Sequence, residues 1–106
     1  MPNIQYFTPD TGVPSTGTSA GTTAAAVALP NAADALLYIF NLGSWPVFFK
    51  LGIGATAAIS GLTPASGCPV LPGQGLIVGV GANTYIGLVI SGGMGGNTTV
   101  NLTSGN

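Results

Sequence analysis

Charge is almost absent from this sequence. Of 106 residues only Asp10, Asp34 and Lys50 are charged, and His, Arg and Glu do not occur. An ordinary soluble domain of this length carries roughly 26 charged residues. The shortage excludes whole classes of chemistry. A Ser-His-Asp triad and a His-ligated metal site need imidazoles, and a nucleic-acid face needs rows of Lys and Arg. None can be built from this chain alone. Two carboxylates are in principle enough for a glycosidase pair. Yet Asp10 falls in a leader, Asp34 reads as the start of a turn or strand, and nothing in the sequence brings them together. No enzyme, no cofactor and no metal is expected.

Cysteine is nearly missing too. Cys68 stands alone, so no internal disulfide is possible, and it reads as a small buried or half-buried hydrophobe. Long uninterrupted apolar runs are also lacking. The span 35–62 is the most apolar, but Asn41, Gly43, Ser44, Pro46 and Lys50 interrupt it, so no membrane helix is expected. Met1 to Asp10 has no basic residue and no apolar core, so no secretory signal is expected there. The glycine run 92–96 lacks the Gly-Lys-Ser/Thr ending of a phosphate loop, and Asn97-Thr98-Thr99 follows, so it reads as a turn. Asn97-Thr98-Thr99 and Asn101-Leu102-Thr103 match the glycosylation sequon, a weak match in a Thr-rich chain.

What is present is a polar but uncharged surface and enough hydrophobe for a core. Thr, Ser and Asn number 12, 7 and 7, while Leu, Ile, Val and Phe make up 27% of the chain. That share exceeds the roughly 20% below which disorder is expected. Gly and Pro together number 26, concentrated in the turns and in the first 22 residues.

The chain divides accordingly. Residues 1–22, rich in Pro, Gly, Thr and Ser, read as an extended N-terminal arm with an apolar tip at Ile4, Tyr6 and Phe7. The arm anchors on a neighbour or packs on its own domain. Residues 23–106 alternate between short apolar strands and turns. Leu36, Tyr38, Phe40 and Leu42 share one parity, with Leu37 and Ile39 on the other, which implies a strand covered on both faces. After a turn at 43–46, Val47 to Ile53 continues, and the two segments read as a hairpin. Residues 55–59 read as a short strand, with helix as the competitor. Further strands follow at 76–80, 85–90 and 98–103. Gly52, Gly79 and Gly87 inside strands signal bulges or close backbone contacts. About seven strands with turn signals every 8–12 residues predict an all-β fold, an antiparallel β-sandwich or small jelly roll.

Lys50, the one cation, reads as a solvent-facing strand residue pairing with an Asp, or as a contact to a partner subunit. Trp45, flanked by Ser44 and Pro46, reads as an interface or core-capping residue, with sugar stacking as its rival. With no basic residues beside it, binding of single-stranded nucleic acid is not expected. The candidate interface residues are thus Ile4, Tyr6, Phe7, Trp45, Phe48 and Lys50.

With these segments in place, the chain resembles the small β-sandwich virion proteins of tailed bacteriophages, the cement, decoration or head-fibre-like class. The residues that carry the likeness are Leu36-Leu37-Tyr38-Ile39-Phe40-Asn41-Leu42-Gly43 and Pro46-Val47-Phe48-Phe49-Lys50-Leu51-Gly52. Val70-Leu71-Pro72-Gly73 and Tyr85-Ile86-Gly87-Leu88-Val89-Ile90 add to it. The resemblance implies a non-enzymatic homo-oligomer, a trimer, on the exterior of the virion capsid, where it binds the major capsid protein and braces it. A carbohydrate-recognising head fibre or receptor tip, with Trp45 and Tyr85 as stacking residues, is one alternative. A self-assembling surface or filament subunit is the other.

Overall fold

The computed structural model describes residues 7–91 and 97–106. Among these, the elements are β1 Thr16–Ala20, β2 Ala25–Ala28, β3 Leu36–Asn41, β4 Val47–Gly52, α1 Ala55–Ile59, β5 Cys68–Val70, β6 Gly75–Gly79, β7 Tyr85–Ile90 and β8 Thr98–Gly105. The fold is an all-β sandwich of two antiparallel four-stranded sheets. Sheet A has the order β1-β8-β3-β6 and sheet B the order β2-β7-β4-β5. The pairing is nested: β1 with β8, β2 with β7, β3 with β6, β4 with β5. One long antiparallel ribbon, with β4 and β5 at its tip, is thereby wound so that successive pairs fall in alternate sheets.

Alternation along the strands decides which side chains meet between the sheets. Leu37 and Ile39 of β3, Val100 and Leu102 of β8, Val47 and Phe49 of β4, and Ile86, Leu88 and Ile90 of β7 form that layer. Each such side chain contributes about 1.5–3 kcal/mol on burial. A one-residue slip would turn all of them to the outside, so this layer fixes the register even where glycines weaken strand propensity.

The structure departs from the expected elements in four places. First, β3 and β4 do not form a hairpin. β3 lies between β8 and β6, and β4 between β7 and β5, in opposite sheets. Pro46 has no N–H to continue a ladder, and Trp45 packs against the core, so the link crosses from sheet to sheet. Second, 55–59 is helical. The helix starts after Gly54, whose φ of 92° few other residues adopt. It lies flat on Gly52 and Gly87, where any Cβ would strike the backbone of Ala57 or Ala58. The strand glycines at 52 and 87 are thus the seat of α1, whereas Gly79 faces open space.

Third, the boundary at 22/23 does not separate an arm from a domain. Thr16–Ala20 pairs with Thr98–Leu102, and Pro9 bridges Gly105. Threonines at 16 and 18 point inward beside Ala20 and suit an edge strand, so the ladder gathers this stretch into sheet A. Fourth, the strand covered on both faces is β7, buried from Ile86 to Ile90, not β3, whose outer residues Leu36, Tyr38 and Phe40 stay half-exposed. The turn expected at 92–96 lies outside the described residues.

Candidate interaction surface

The outer faces of the two sheets differ. On sheet B, α1 and the loop after it cover the strands, and Ala58, Leu62 and Val89 are buried there. Among the described residues no helix lies on the outer face of sheet A. Its middle is a row of aromatic rings: Phe7 and Tyr38 have centroids 5.8 Å apart, and Tyr38 and Phe40 6.0 Å. Phe7 lies over Gly105 and Tyr38 over Gly75. Beside the row runs a hydroxyl and amide ladder. Ser15 and Thr103 share a hydrogen bond of 2.8 Å, and Thr103 donates to Asn101 Oδ1 at 3.0 Å.

The two ends of the sandwich also differ. One end is formed by the loops 42–46 and 71–74, which meet around Asn41. This side chain is fully buried and uses its whole bonding capacity. Its Nδ2 donates to the carbonyls of Trp45 (2.7 Å) and Val70 (3.0 Å). Its Oδ1 accepts from Gly43 N–H (3.0 Å) and Thr98 Oγ1 (3.1 Å). Thus one amide ties the end of β3, the crossing loop, the end of β5 and the start of β8. The loops it holds project Leu42 and Leu71, which are 59% and 48% exposed. Among the described residues no charged side chain stands at this end. Ile53, 67% exposed, lies at the end of β4 toward the opposite side.

The opposite end brings the two acids together, a meeting that no local pattern in the chain indicates. Asp10 Oδ2 accepts from Asn31 Nδ2 at 2.9 Å, and Asp10 Oδ1 from Gly12 N–H at 2.8 Å. Asp34 Oδ1 accepts from Asn106 Nδ2 at 3.4 Å, while Asp34 Oδ2 is shut from solvent and has no hydrogen-bond donor among the described residues. Desolvation, and then the neighbouring Asp10 carboxylate, push the Asp34 carboxyl above its ordinary range. The Asn31 amide, the Gly12 N–H and Asp34 itself hold Asp10 below it. Backbone bonds of Asp10 N–H to Ser104 O and between Thr8 and Asn106 explain the meeting, since they carry the leader past the start of β3. Among the described residues no three His, Cys, Asp or Glu side chains cluster.

The expected interface residues do not converge. Ile4 and Tyr6 lie outside the described residues. Phe7 is half-buried on the outer face of sheet A, packed on its own domain. Trp45 is half-buried against the core at the uncharged end. Phe48 and Lys50 share the outer parity of β4 in sheet B. Lys50 donates to the carbonyl of Ser60 at 2.7 Å, a cation at the end of α1, and its partner is not an Asp. Cys68 is exposed rather than buried, because β5 is the edge of sheet B. Leu42 and Leu71, which the sequence placed among ordinary strand and turn residues, are the exposed pair. The signal that marks them is Asn41 at the end of an apolar strand and before Gly43, a place for side-chain bonding to a loop. No protein-family model, curated protein or solved structure matches this chain.

Proposed function

We propose that this chain is a non-enzymatic structural protein of a bacteriophage virion, a homo-oligomer that binds the outside of the capsid and stabilises it. The observation that carries the reading is the uncharged end with exposed Leu42 and Leu71 held on the rigid Asn41 network. Interfaces are depleted of charge at their centres and built on preorganised apolar anchors. The nested strand order supports the class of protein. We read the rolled antiparallel ribbon of eight strands as a jelly roll, an architecture common in viral capsid and lectin domains. The partner is the major capsid protein, met through the apolar end, and the virion exterior is the location.

Immunogold electron microscopy of the phage particles whose genome encodes the chain tests the location. Thermal rupture of capsids with and without the protein tests the bracing. The expected result is label on the capsid surface and a higher rupture temperature with the protein bound. Leu42→Asp with Leu71→Asp is expected to weaken capsid binding at least tenfold with the fold intact. Label confined to fibre tips, or capsids indifferent to the protein, would overturn the reading.

A further inference from the structure

Sheet edges invite pairing, and three of the four edges here are blunted. β5 has three residues and contains Pro69. β2 has four residues, and α1 packs along it. β1 is Thr-Gly-Thr-Ser-Ala, polar and shortly preceded by Pro14. β6 is different. Gly75-Leu76-Ile77-Val78-Gly79 has no charge and no proline, and among the described residues nothing pairs with its outer side.

The phase of the backbone tells which groups of β6 are free. Asn41 N–H donates to Gln74 O at 3.0 Å, and Val80 N–H to Ala35 O at 2.9 Å. In an antiparallel ladder the residues that bond toward a neighbour alternate. Residues 74, 76, 78 and 80 therefore bond toward β3, and Gly75, Ile77 and Gly79 direct N–H and C=O away from the sheet. The strand is also symmetric in character about Ile77. An antiparallel pairing of two copies centred there sets Ile77 against Ile77, Gly75 against Gly79 and Leu76 against Val78. Every free residue then meets a free residue. A slip of one residue sets free groups against groups already bonded to β3.

We propose that β6 is a self-association seam, at which two copies pair antiparallel about a twofold axis through Ile77 and join their A sheets into one. Leu76 and Val78 point to the core yet stay half-buried, and each gains the other as cover across the axis. Charge fits a second copy. The acid beside the seam is Asp34, next to Ala35 at the Val80 end of the strand. The twofold axis sends the two Asp34 residues to opposite ends of the paired strands, so they do not meet.

Area sets the strength. The strand is about 17 Å long and the two sheets with their side chains about 20 Å wide, which gives roughly 700 Å² over both copies. A stable interface needs roughly 1,200 Å². The pair is therefore weak in free solution and firm where copies stand side by side on a lattice. This deepens the homo-oligomer part of the function proposed above, with a twofold in place of a threefold contact, and it holds whether or not a capsid is the partner.

Sedimentation velocity from about 1 μM to about 1 mM tests it. The expected mass rises from the 10.3 kDa of the chain toward twice that value. Hydrogen exchange at Gly75, Ile77 and Gly79 slows only at the high concentration. Ile77→Pro removes an outward N–H and leaves the β3 ladder whole, so it is expected to give a folded monomer throughout. Should Ile77→Pro not fold, Ile77→Lys keeps the N–H and faces two like charges across the axis. It is expected to weaken pairing at least tenfold, with high salt restoring part of the loss. A wild-type monomer across the range, a trimeric mass, or association untouched by these variants overturns the seam. Binding of Ile77→Pro to capsids tests the capsid reading separately.

Discussion

Asn41→Ala is the substitution that tests the architecture most directly. It removes two donors and two acceptor sites from a residue with no solvent exposure. Four partners lose a bond: the carbonyls of Trp45 and Val70, the N–H of Gly43 and the hydroxyl of Thr98. Trp45 O keeps a bond from Thr98 Oγ1 at 3.3 Å, and that hydroxyl keeps this acceptor. Gly43 N–H is left without its partner, and Val70 O, opposite Val47 in the ladder, loses its second bond. The orphaned N–H costs about 1–3 kcal/mol and the other lost bonds about 0.5–1.5 kcal/mol each, so a loss of about 2–5 kcal/mol is expected. That is a large share of the roughly 5–15 kcal/mol that holds a domain folded. The assay is urea unfolding followed by tryptophan fluorescence, since Trp45 is the only Trp and sits in the affected loop.

Asn41→Asp sharpens the test. The shape is kept, but an ionised carboxylate would face the carbonyls of Trp45 and Val70. Its folded pKa must therefore rise above its unfolded value. By linkage the variant is most stable below the unfolded pKa, near 4, and loses stability as pH rises through the folded pKa. Hydrogen exchange should locate the loosening in loops 42–46 and 71–74 in both variants. A loss under about 1 kcal/mol for Asn41→Ala, or an Asn41→Asp variant whose stability does not fall with pH, would refute the network as the tie between the sheets.

Other expectations follow from the same geometry. Gly87→Ala drives a methyl into the backbone of Ala58, so α1 must lift; a loss of about 1–3 kcal/mol and faster exchange in 55–59 are expected in calorimetry and hydrogen exchange. Asp34→Asn removes a carboxyl whose pKa is raised, so the wild type loses stability as pH rises through that pKa while the variant does not. Its melting temperature should therefore exceed the wild type at pH 7 by more than at pH 3, and equal differences at both values would count against a desolvated Asp34 carboxyl beside Asp10. Lys50→Met removes the bond to Ser60 O at an exposed site, so α1 should fray at its end in exchange experiments with little change in melting temperature.

How much of this was legible in the sequence depends on the distance over which each feature is decided. Strand positions were legible because they follow from alternation within a few residues, as in Val100 and Leu102 against Thr99 and Asn101. The all-β class followed. The pairing of β3 with β8 and β6, rather than with β4, was not, because a five-residue link with Pro46 serves a hairpin or a crossing equally well until Asn41 finds Val70 O twenty-nine residues away. The helix at 55–59 was hidden for a similar reason. Five residues carry no period, and half of the seat that selects the helix is Gly87, far along the chain from Ala58. Of the candidate site, the uncharged character was plain from composition, but which apolar residues stand exposed was not. Trp45, read as an interface or core-capping residue, packs against the core, while Leu42, read as a strand residue, turned out.

The few charges are also used in a way that composition does not reveal. Asp10 and Asp34 face each other and are tied to Asn31, Asn106 and Gly12, and Lys50 is tied to the end of α1. All three are engaged within the chain. The acids hold the leader against β8 and the start of β3, and the lysine holds the helix on sheet B. What is left to face outward is the Thr, Ser and Asn ladder, the aromatic row, the Leu42 and Leu71 end and the bare edge of β6. Each of these recognises a partner by shape, apolar contact or backbone pairing, and none by charge. Association through them should therefore persist from low to high salt. A salt-sensitive partner would have to act through charges that this fold has already committed to itself.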